Sequence, residues 1–145
     1  MEKVEFLILR NLLYNEEYVR KVVPFIKAEY FEDFNQKVVF EEILNFVEEY
    51  NTPATKEVLC IETEKRQDIN DSSFQEITKL ISSLDNTPSE FDWLVDTTER
   101  WCQERAIYLA LMESIQLADG KDESKGRDAI PTILSDALSV SFDTM

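Results

Sequence analysis

Apolar side chains recur at helical spacing along most of the chain, and the longest unbroken pattern covers residues 87–118. Four of these side chains stand seven residues apart, which places them on one side of an α-helix. We name these positions, Leu94, Trp101, Tyr108 and Ile115, the heptad face. The pattern predicts a single helix of about thirty residues, well beyond the average length in globular proteins.

Cap signals bound this long helix at both ends. Thr87 is the predicted N-cap, Pro88 suits the first helical position, and Glu90 completes a T-x-x-E capping box. Gly120 follows the last apolar residue and is typical of a left-handed residue that ends a helix. The loop of residues 119–127 is charged and contains both glycines of the chain, so we expect it to be exposed and mobile.

The side of this helix opposite the heptad face is polar up to Glu104 and apolar afterwards, at Ile107, Ala110 and Leu111. The second half of the helix therefore has two faces to bury. A predicted partner helix over residues 129–142 forms a helical hairpin with it and can cover one of them. Either the N-terminal helices fold back over the other face or another chain covers it. The sequence leaves open which face is covered within the chain.

Shorter helical patterns cover most of the remaining chain. They run over residues 2–14, 15–23, the second part of 24–51, 56–66 and 74–84. The predicted boundary signals are Asn15 as an N-cap, Pro24 as a break, Asn51 as a stop, residues 52–55 as a turn and cap, Ser73 with Glu76 as an S-x-x-E capping box, and Asp128 as the N-cap of the last helix. The predicted class is all-α, with a globular head of about five short helices over residues 1–86, the long hairpin over 87–142, and the start of a linker at 143–145.

Composition supports one folded domain. The chain has 145 residues, of which 43% are hydrophobic and 11% aromatic, enough to form a core. The chain has 30 Asp and Glu residues but only 15 Lys and Arg residues, which gives a formal net charge of −15. This charge repels phosphate backbones. Strong direct DNA binding by this segment is therefore not expected.

Membrane contact is not expected either. The sequence contains no apolar run long enough to cross a bilayer and no cleavable leader pattern, so we expect a cytoplasmic protein. The aromatic residues Tyr30, Phe31 and Phe34 form a patch without basic neighbours, which favours a core position over a base-stacking platform.

Signals for catalytic chemistry are weak. Histidine is absent, which removes histidine-based nucleophile systems, and Cys60 and Cys102 are expected to be buried free thiols. Residues 120–127 approach a P-loop but have the wrong spacing. Glu29 and Glu32 have the E-x-x-E spacing of magnesium-dependent nucleotide hydrolases, which 30 acidic residues also produce by chance. We therefore expect no catalytic, cofactor-binding or metal-binding residue.

Three stretches of the chain resemble a known family. They are AEYFED at residues 28–33, NTPSEFDWLVDTTERWCQERA at 86–106 and DAIPTILSDALSVSFDT at 128–144. The chain is similar there to the N-terminal domain of T4-type bacteriophage replicative DNA helicases, the phage branch of the DnaB family of hexameric helicases. The resemblance extends over nearly the whole chain, the last stretch is the most specific, and none of the three is a catalytic signature.

This resemblance implies a helical head followed by a helical hairpin. In the family, hairpins of neighbouring subunits pair, heads make a second contact, and six copies form a trimer-of-dimers collar that takes part in primase docking. The resemblance also implies that a linker and an ATPase motor follow residue 145, and that ATP and magnesium belong to that motor. By motif, the residues it places on the hairpin are Trp101, Tyr108, Leu111, Ile115, Ile133, Leu134 and Leu138.

The sequence thus predicts a non-catalytic assembly domain that acts by self-association in the cytoplasm of an infected host cell, with primase as a further partner. Its expected interface residues are Trp101, Ile107, Tyr108, Leu111, Met112, Ile115, Ile133, Leu134 and Leu138, centred on residues 107–115. One alternative is a stand-alone acidic adaptor or DNA mimic that binds a basic replication partner, which the net charge suggests. Another is a magnesium-dependent nucleotide hydrolase at Glu29 and Glu32.

Overall fold

The structure is a computed structural model and describes residues 3–143. This part of the chain contains seven α-helices. They are α1 (Val4–Tyr14), α2 (Glu16–Val22), α3 (Phe34–Tyr50), α4 (Lys56–Glu64), α5 (Asp71–Ser83), α6 (Phe91–Ala118) and α7 (Ile130–Leu138). Short 3₁₀ turns lie at Val23–Phe25, Ala28–Tyr30 and Arg127–Ala129. The predicted all-α class is confirmed. Glu2 of the predicted first helix and residues 144–145 of the predicted linker lie outside the described residues.

Several predicted helix boundaries are confirmed, each with a local cause. The side chain of Asn15 accepts a hydrogen bond from the backbone N–H of Tyr18 at 3.0 Å and so caps α2. The helix α2 ends at Val22, and Pro24 stands in the 3₁₀ turn that follows it. Asn51 ends α3 in the left-handed conformation, with φ of 55°.

The predicted capping box at Ser73 is wrong. The N-cap of α5 is Asn70, whose side chain accepts the backbone N–H of Ser73 at 2.8 Å. The helix therefore begins at Asp71, in front of the predicted start at residue 74. Asn70 prevails because it offers an amide oxygen one residue before an acid, Asp71, that itself favours the positive end of the helix dipole.

The predicted start of the long helix is also wrong. Residues 84–90 form no helix, and α6 begins at Phe91. Glu90 is itself the N-cap, since its carboxylate accepts the backbone N–H groups of Asp92 and Trp93 at 3.3 and 2.7 Å. A carboxylate at this place accepts two backbone N–H groups that have no partner within the helix, and it interacts favourably with the positive end of the helix dipole. Thr87 is therefore not needed as a cap.

The last helix is shorter than predicted. Asp128 lies inside the 3₁₀ turn Arg127–Ala129 and does not cap α7, whose N-cap position, Ala129, has no side-chain hydrogen bond. The helix ends at Leu138, because Ser139 bends back and its hydroxyl donates to the backbone oxygen of Asp136 at 2.8 Å. Residues 139–143 continue without helix.

The helices α1 to α5 share one core, in which α3 packs against α1, α4 and α5. Its largest fully buried side chains include Ile8, Leu9, Leu12, Tyr18, Phe31, Phe40, Ile43, Leu59, Ile77 and Ile81. The aromatic patch divides: Tyr30 and Phe31 are buried as expected, whereas the ring of Phe34 is exposed. The predicted boundary between head and hairpin, at residue 86, falls in the extended segment between α5 and α6.

The long helix α6 connects this core to α7. It packs against α1, α2 and the 3₁₀ turn Ala28–Tyr30, and it makes its most extensive contact with α7. Near the head, Thr98 and Tyr18 share a buried hydrogen bond of 2.7 Å between their hydroxyls. The side chain of Gln103 donates to the backbone oxygen of Val140 at 3.0 Å, which places the end of the α7 segment beside the middle of α6.

The cap assignment of α5 is testable by two substitutions. We expect Asn70→Ala to lower the free energy of unfolding by about 1 kcal/mol, because it removes the side-chain oxygen that accepts the backbone N–H of Ser73. The matched change Ser73→Ala should cost less than about half of that, since the Ser73 side chain does not cap the helix. Urea denaturation of both variants measures the difference. A larger loss of unfolding free energy for Ser73→Ala than for Asn70→Ala would contradict Asn70 as the N-cap and support the predicted capping box.

The burial of Cys102 makes stability depend on pH. Burial, with a smaller effect of the Glu99 carboxylate, raises the pKa of the Cys102 thiol from 9.0 to about 12. Because the pKa is higher in the folded state than in the unfolded state, this group contributes fully below pH 9.0 and loses its contribution as the pH rises towards 12. Burial also raises the pKa of the neighbouring Tyr18 hydroxyl, which acts in the same direction at higher pH.

We therefore expect the unfolding free energy to fall by about 1 kcal/mol between pH values of about 7.5 and 10. In Cys102→Ala this pH dependence should be smaller, even though the variant is less stable at every pH. Cys60→Ala serves as the control and should keep the slope of the parent chain. Denaturation curves at both pH values measure it, and an unchanged slope in Cys102→Ala would contradict the assignment.

Candidate protein interface

The heptad face of α6 changes from buried to exposed along the helix. Leu94 and Trp101, in the first half, are buried. Tyr108 and Ile115, one and two heptads further on, are 48% and 50% exposed. One continuous apolar face is therefore covered within the chain only as far as Trp101.

The position of α7 explains why the heptad face becomes exposed in the second half of α6. In the second half of α6 the buried residues are Ala106, Ala110, Ser114 and Leu117, which recur at three- and four-residue spacing and form a different face from the heptad face. Most of these side chains are small, and small side chains let two helices approach closely. The helix α7 packs on this face, where Ala106 and Ala110 line one crevice with Ala137. Beyond Trp101 the heptad face therefore stays about half exposed.

The uncovered side chains form one stripe along the hairpin. We call Tyr108, Leu111, Met112 and Ile115 the hairpin stripe; each of them is more than two-fifths exposed. They stand at positions i, i+3, i+4 and i+7, so their side chains are neighbours on the helix surface. The assignment of Leu111 to the side opposite the heptad face is therefore wrong, because its side chain is exposed beside Tyr108 and Ile115. A contiguous apolar surface of this kind is typical of an interaction site, whereas single exposed apolar residues are not.

Arg105 marks the border between the buried and the exposed part. Its Nε donates a hydrogen bond to the backbone oxygen of Tyr30 at 2.6 Å, which ties it to the head. Its guanidinium lies over the ring of Tyr108, 4.9 Å from the ring centre. This cation–π contact holds the ring of Tyr108 at the head end of the stripe.

The structure divides the predicted interface residues into four groups by their burial and position. Tyr108, Leu111, Met112 and Ile115 form the exposed hairpin stripe. Ile107, Ile133 and Leu134 are partly buried and pack against the core of the same chain. Leu138, at the end of α7, is 72% exposed, and Trp101 is buried. The set predicted from the sequence therefore joins residues that contact the chain's own core to residues that face outwards.

Trp101 belongs to the junction between head and hairpin. Its ring lies edge-on to Tyr30, with centres 6.0 Å apart, and 4.9 Å from the ring centre of Phe31. Its indole N–H is buried and finds no hydrogen-bond partner among residues 3–143. Contacts with two aromatic rings of the head make it a core residue of this chain.

The fold does not bring together the carboxylates of the candidate magnesium site, Glu29 and Glu32. Glu29 lines a crevice between head and hairpin, whereas Glu32 lines a separate depression with Lys3 and Glu5, so the two carboxylates do not line one cavity. Within residues 3–143, no cluster of three or more Asp, Glu, Cys or His side chains is placed to hold a metal ion.

The loop that resembles a P-loop has a different local structure. The carboxylate of Asp122 accepts the backbone N–H of Ser124 at 2.9 Å and its hydroxyl at 2.6 Å. These bonds lower the pKa of Asp122. A backbone donor that a P-loop would direct at a phosphate is here occupied by a carboxylate.

In the part of the chain that the structure describes, none of the helices combines the length and the apolar character needed to cross a membrane.

Comparison with known proteins supports the resemblance seen in the sequence. In an alignment of 146 positions that covers 95% of its length, the chain is 32% identical to the DnaB-like replicative helicase of Enterobacteria phage T4. It spans 30% of the length of that protein. No family model matches the chain. The predicted similarity to a T4-type replicative helicase of the DnaB family is thereby confirmed.

Two aromatic positions of the heptad face should respond differently to truncation. We expect Trp101→Ala to lower the free energy of unfolding by about 3–5 kcal/mol, because it empties a buried site between aromatic rings. Tyr108→Ala should cost less than about 1 kcal/mol in the monomer, since its side chain is half exposed. Chemical denaturation of dilute samples measures both values, and similar losses for the two variants would contradict the change of burial along α6.

Proposed function

We propose that this chain is the non-catalytic N-terminal assembly domain of a hexameric replicative DNA helicase, and that it joins subunits through the hairpin stripe. The similarity to a phage replicative helicase supports the kind of protein. The exposed second half of the heptad face supports the mode of action, because it is a contiguous apolar surface that the fold leaves exposed to solvent. Helicase activity, with its ATP and magnesium, is assigned to the remainder of such a protein and to no residue of this segment.

Pairing two hairpins about a two-fold axis covers the stripe. In such a contact each copy presents the same patch, so the four apolar side chains of one copy pack against those of the other. Removing one half-exposed side chain from water gains roughly 1 kcal/mol, so the four stripe side chains of each of the two copies together gain about 8 kcal/mol. The cost of association, about 4–15 kcal/mol, offsets most of this gain. We therefore expect a weak dimer for the isolated domain, strengthened when further contacts link the subunits.

Ring closure needs a second, different contact. A single isologous contact stops at a dimer, whereas a collar of six copies needs another contact between dimers. In our proposal the heads supply it, the collar is a trimer of dimers, and primase docks on the assembled collar. These finer features are proposed on the resemblance to the helicase family and on the helical head that precedes the hairpin.

The alternative of a stand-alone acidic adaptor or DNA mimic is favoured by one observation, the net charge of −15. The two proposals differ in their response to salt. Screening weakens the attraction of an acidic protein for a basic partner. Screening also weakens the repulsion between two acidic copies, so pairing through an apolar stripe should become stronger.

Charge placed in the stripe should abolish self-association without unfolding the chain. We expect Leu111→Asp and Ile115→Asp each to weaken dimerisation at least about tenfold, because a carboxylate at the contact is buried without a partner. Sedimentation equilibrium at rising concentration and at two salt concentrations measures this, with dimerisation of the parent chain increasing with salt.

The matched control is Trp93→Asp, which removes an apolar side chain of similar exposure, 51%, from the other end of the same helix. It should dimerise like the parent chain. A parent chain that stays monomeric at every concentration, or a control as impaired as the stripe variants, would contradict the proposal.

A further inference from the structure

A second apolar surface lies on the head, between α3 and α4. It is a groove with a cavity volume of about 530 Å³, within the range of pockets that bind ligands. Its apolar lining consists of Phe46, Tyr50, Val58 and Ile61, and its carboxylates are Glu42, Glu49 and Glu62. We call it the α3–α4 groove. None of its lining residues belongs to α6 or α7, so it is separate from the hairpin stripe.

The aromatic part of the groove is open to solvent. The rings of Phe46 and Tyr50 lie 4.7 Å apart at the C-terminal end of α3. Tyr50 is 59% exposed, the highest value among the aromatic side chains of the described residues, and Ile61 opposite it on α4 is also exposed. An aromatic face accessible to solvent is a favourable place for a cation and for the aliphatic stem that carries it.

The charge of the groove has one sign. Among the described residues, those that line it include no Lys or Arg. Glu42 is paired with Arg66 at 2.7 Å and Glu62 with Lys65 at 3.2 Å. Glu49, one residue before Tyr50, is exposed and forms no ion pair among residues 3–143. The groove therefore presents a carboxylate without a cationic partner directly beside an aromatic ring.

We propose that the α3–α4 groove binds a basic amphipathic peptide segment of a partner protein. An arginine of that segment lies along the rings of Phe46 and Tyr50 and places its guanidinium at Glu49. Apolar side chains next to it contact Val58 and Ile61. Arginine fits better than lysine, because its planar guanidinium stacks on an aromatic ring and pairs with a carboxylate at the same time.

Charge complementarity selects this occupant over others. A nucleic acid brings phosphates to a surface lined by carboxylates, and the net charge of −15 adds to the repulsion. A second copy of the chain brings the same net charge. A basic segment removes the repulsion and covers the exposed apolar side chains in one step.

The test uses a synthetic probe, a fluorescein-labelled peptide of about twelve residues with arginine and leucine on opposite faces of a helix. The control peptide has glutamate in place of every arginine. Fluorescence anisotropy should show saturable binding of the arginine peptide alone. Backbone amide shifts in a two-dimensional nitrogen–proton spectrum should change at residues 46–50 and 58–62.

Two variants of exposed residues locate the binding. We expect Glu49→Lys and Tyr50→Ala each to weaken binding of the arginine peptide by about fivefold or more. The matched control is Glu48→Lys, which makes the same change of charge one residue away, at an exposed position outside the groove lining. It should alter binding by less than about twofold. Thermal unfolding checks that all three variants are folded.

The outcomes separate this inference from the assembly proposal. Leu111→Asp should bind the peptide as the parent chain does, because the hairpin stripe takes no part. No saturable binding, or an equal loss in Glu48→Lys and Glu49→Lys, would overturn the inference and leave the assembly proposal intact. Loss of peptide binding in Leu111→Asp would overturn it as well, by moving the binding site to the hairpin.

Discussion

The whole arrangement depends on which side of α6 the small residues occupy. Ala106 and Ala110 draw α7 onto one face of the second half of the helix. The heptad face, which the head covers as far as Trp101, then has no partner at Tyr108 and Ile115. Since both halves belong to one continuous helix, covering the first half by the head fixes the direction in which the second half points. The heptad pattern of α6 therefore includes residues that pack in the core of the chain, such as Trp101, and residues that face outwards, such as Ile115.

Contacts at the end of α7 hold this arrangement together. The carboxylate of Glu99 accepts the backbone N–H of Phe142 at 2.6 Å. The buried ring of Phe142 stacks on Phe25 of the head, with ring centres 4.8 Å apart. Together with the bond from Gln103 to Val140, these contacts join α6, the segment after α7 and the head at one place. The hairpin stripe is therefore presented by an element anchored at its base, which reduces the ordering that pairing requires.

Much of the fold is predictable from the sequence because it rests on local chemistry. The spacing of the heptad face defines α6, and Asn15 and Asn51 end or begin helices as their side chains and backbone preferences suggest. The caps at Thr87, Ser73 and Asp128 are wrong because other acceptors or turns stand within a few residues of them. The residues of the hairpin stripe are among those that the sequence predicts for the interface. Which members of that set are exposed, and the existence of the α3–α4 groove, are not predictable in the same way, since both depend on how separate helices pack.

In the proposed assembly, the heptad face packs within the chain before Arg105 and between chains after it. Isotope-filtered nuclear Overhauser spectroscopy on a mixture of labelled and unlabelled chains measures contacts between copies directly. We expect intermolecular signals from the methyl groups of Leu111, Met112 and Ile115, and none from Leu94. Intermolecular signals confined to α7 or to the head, in a sample shown to be dimeric, would contradict it.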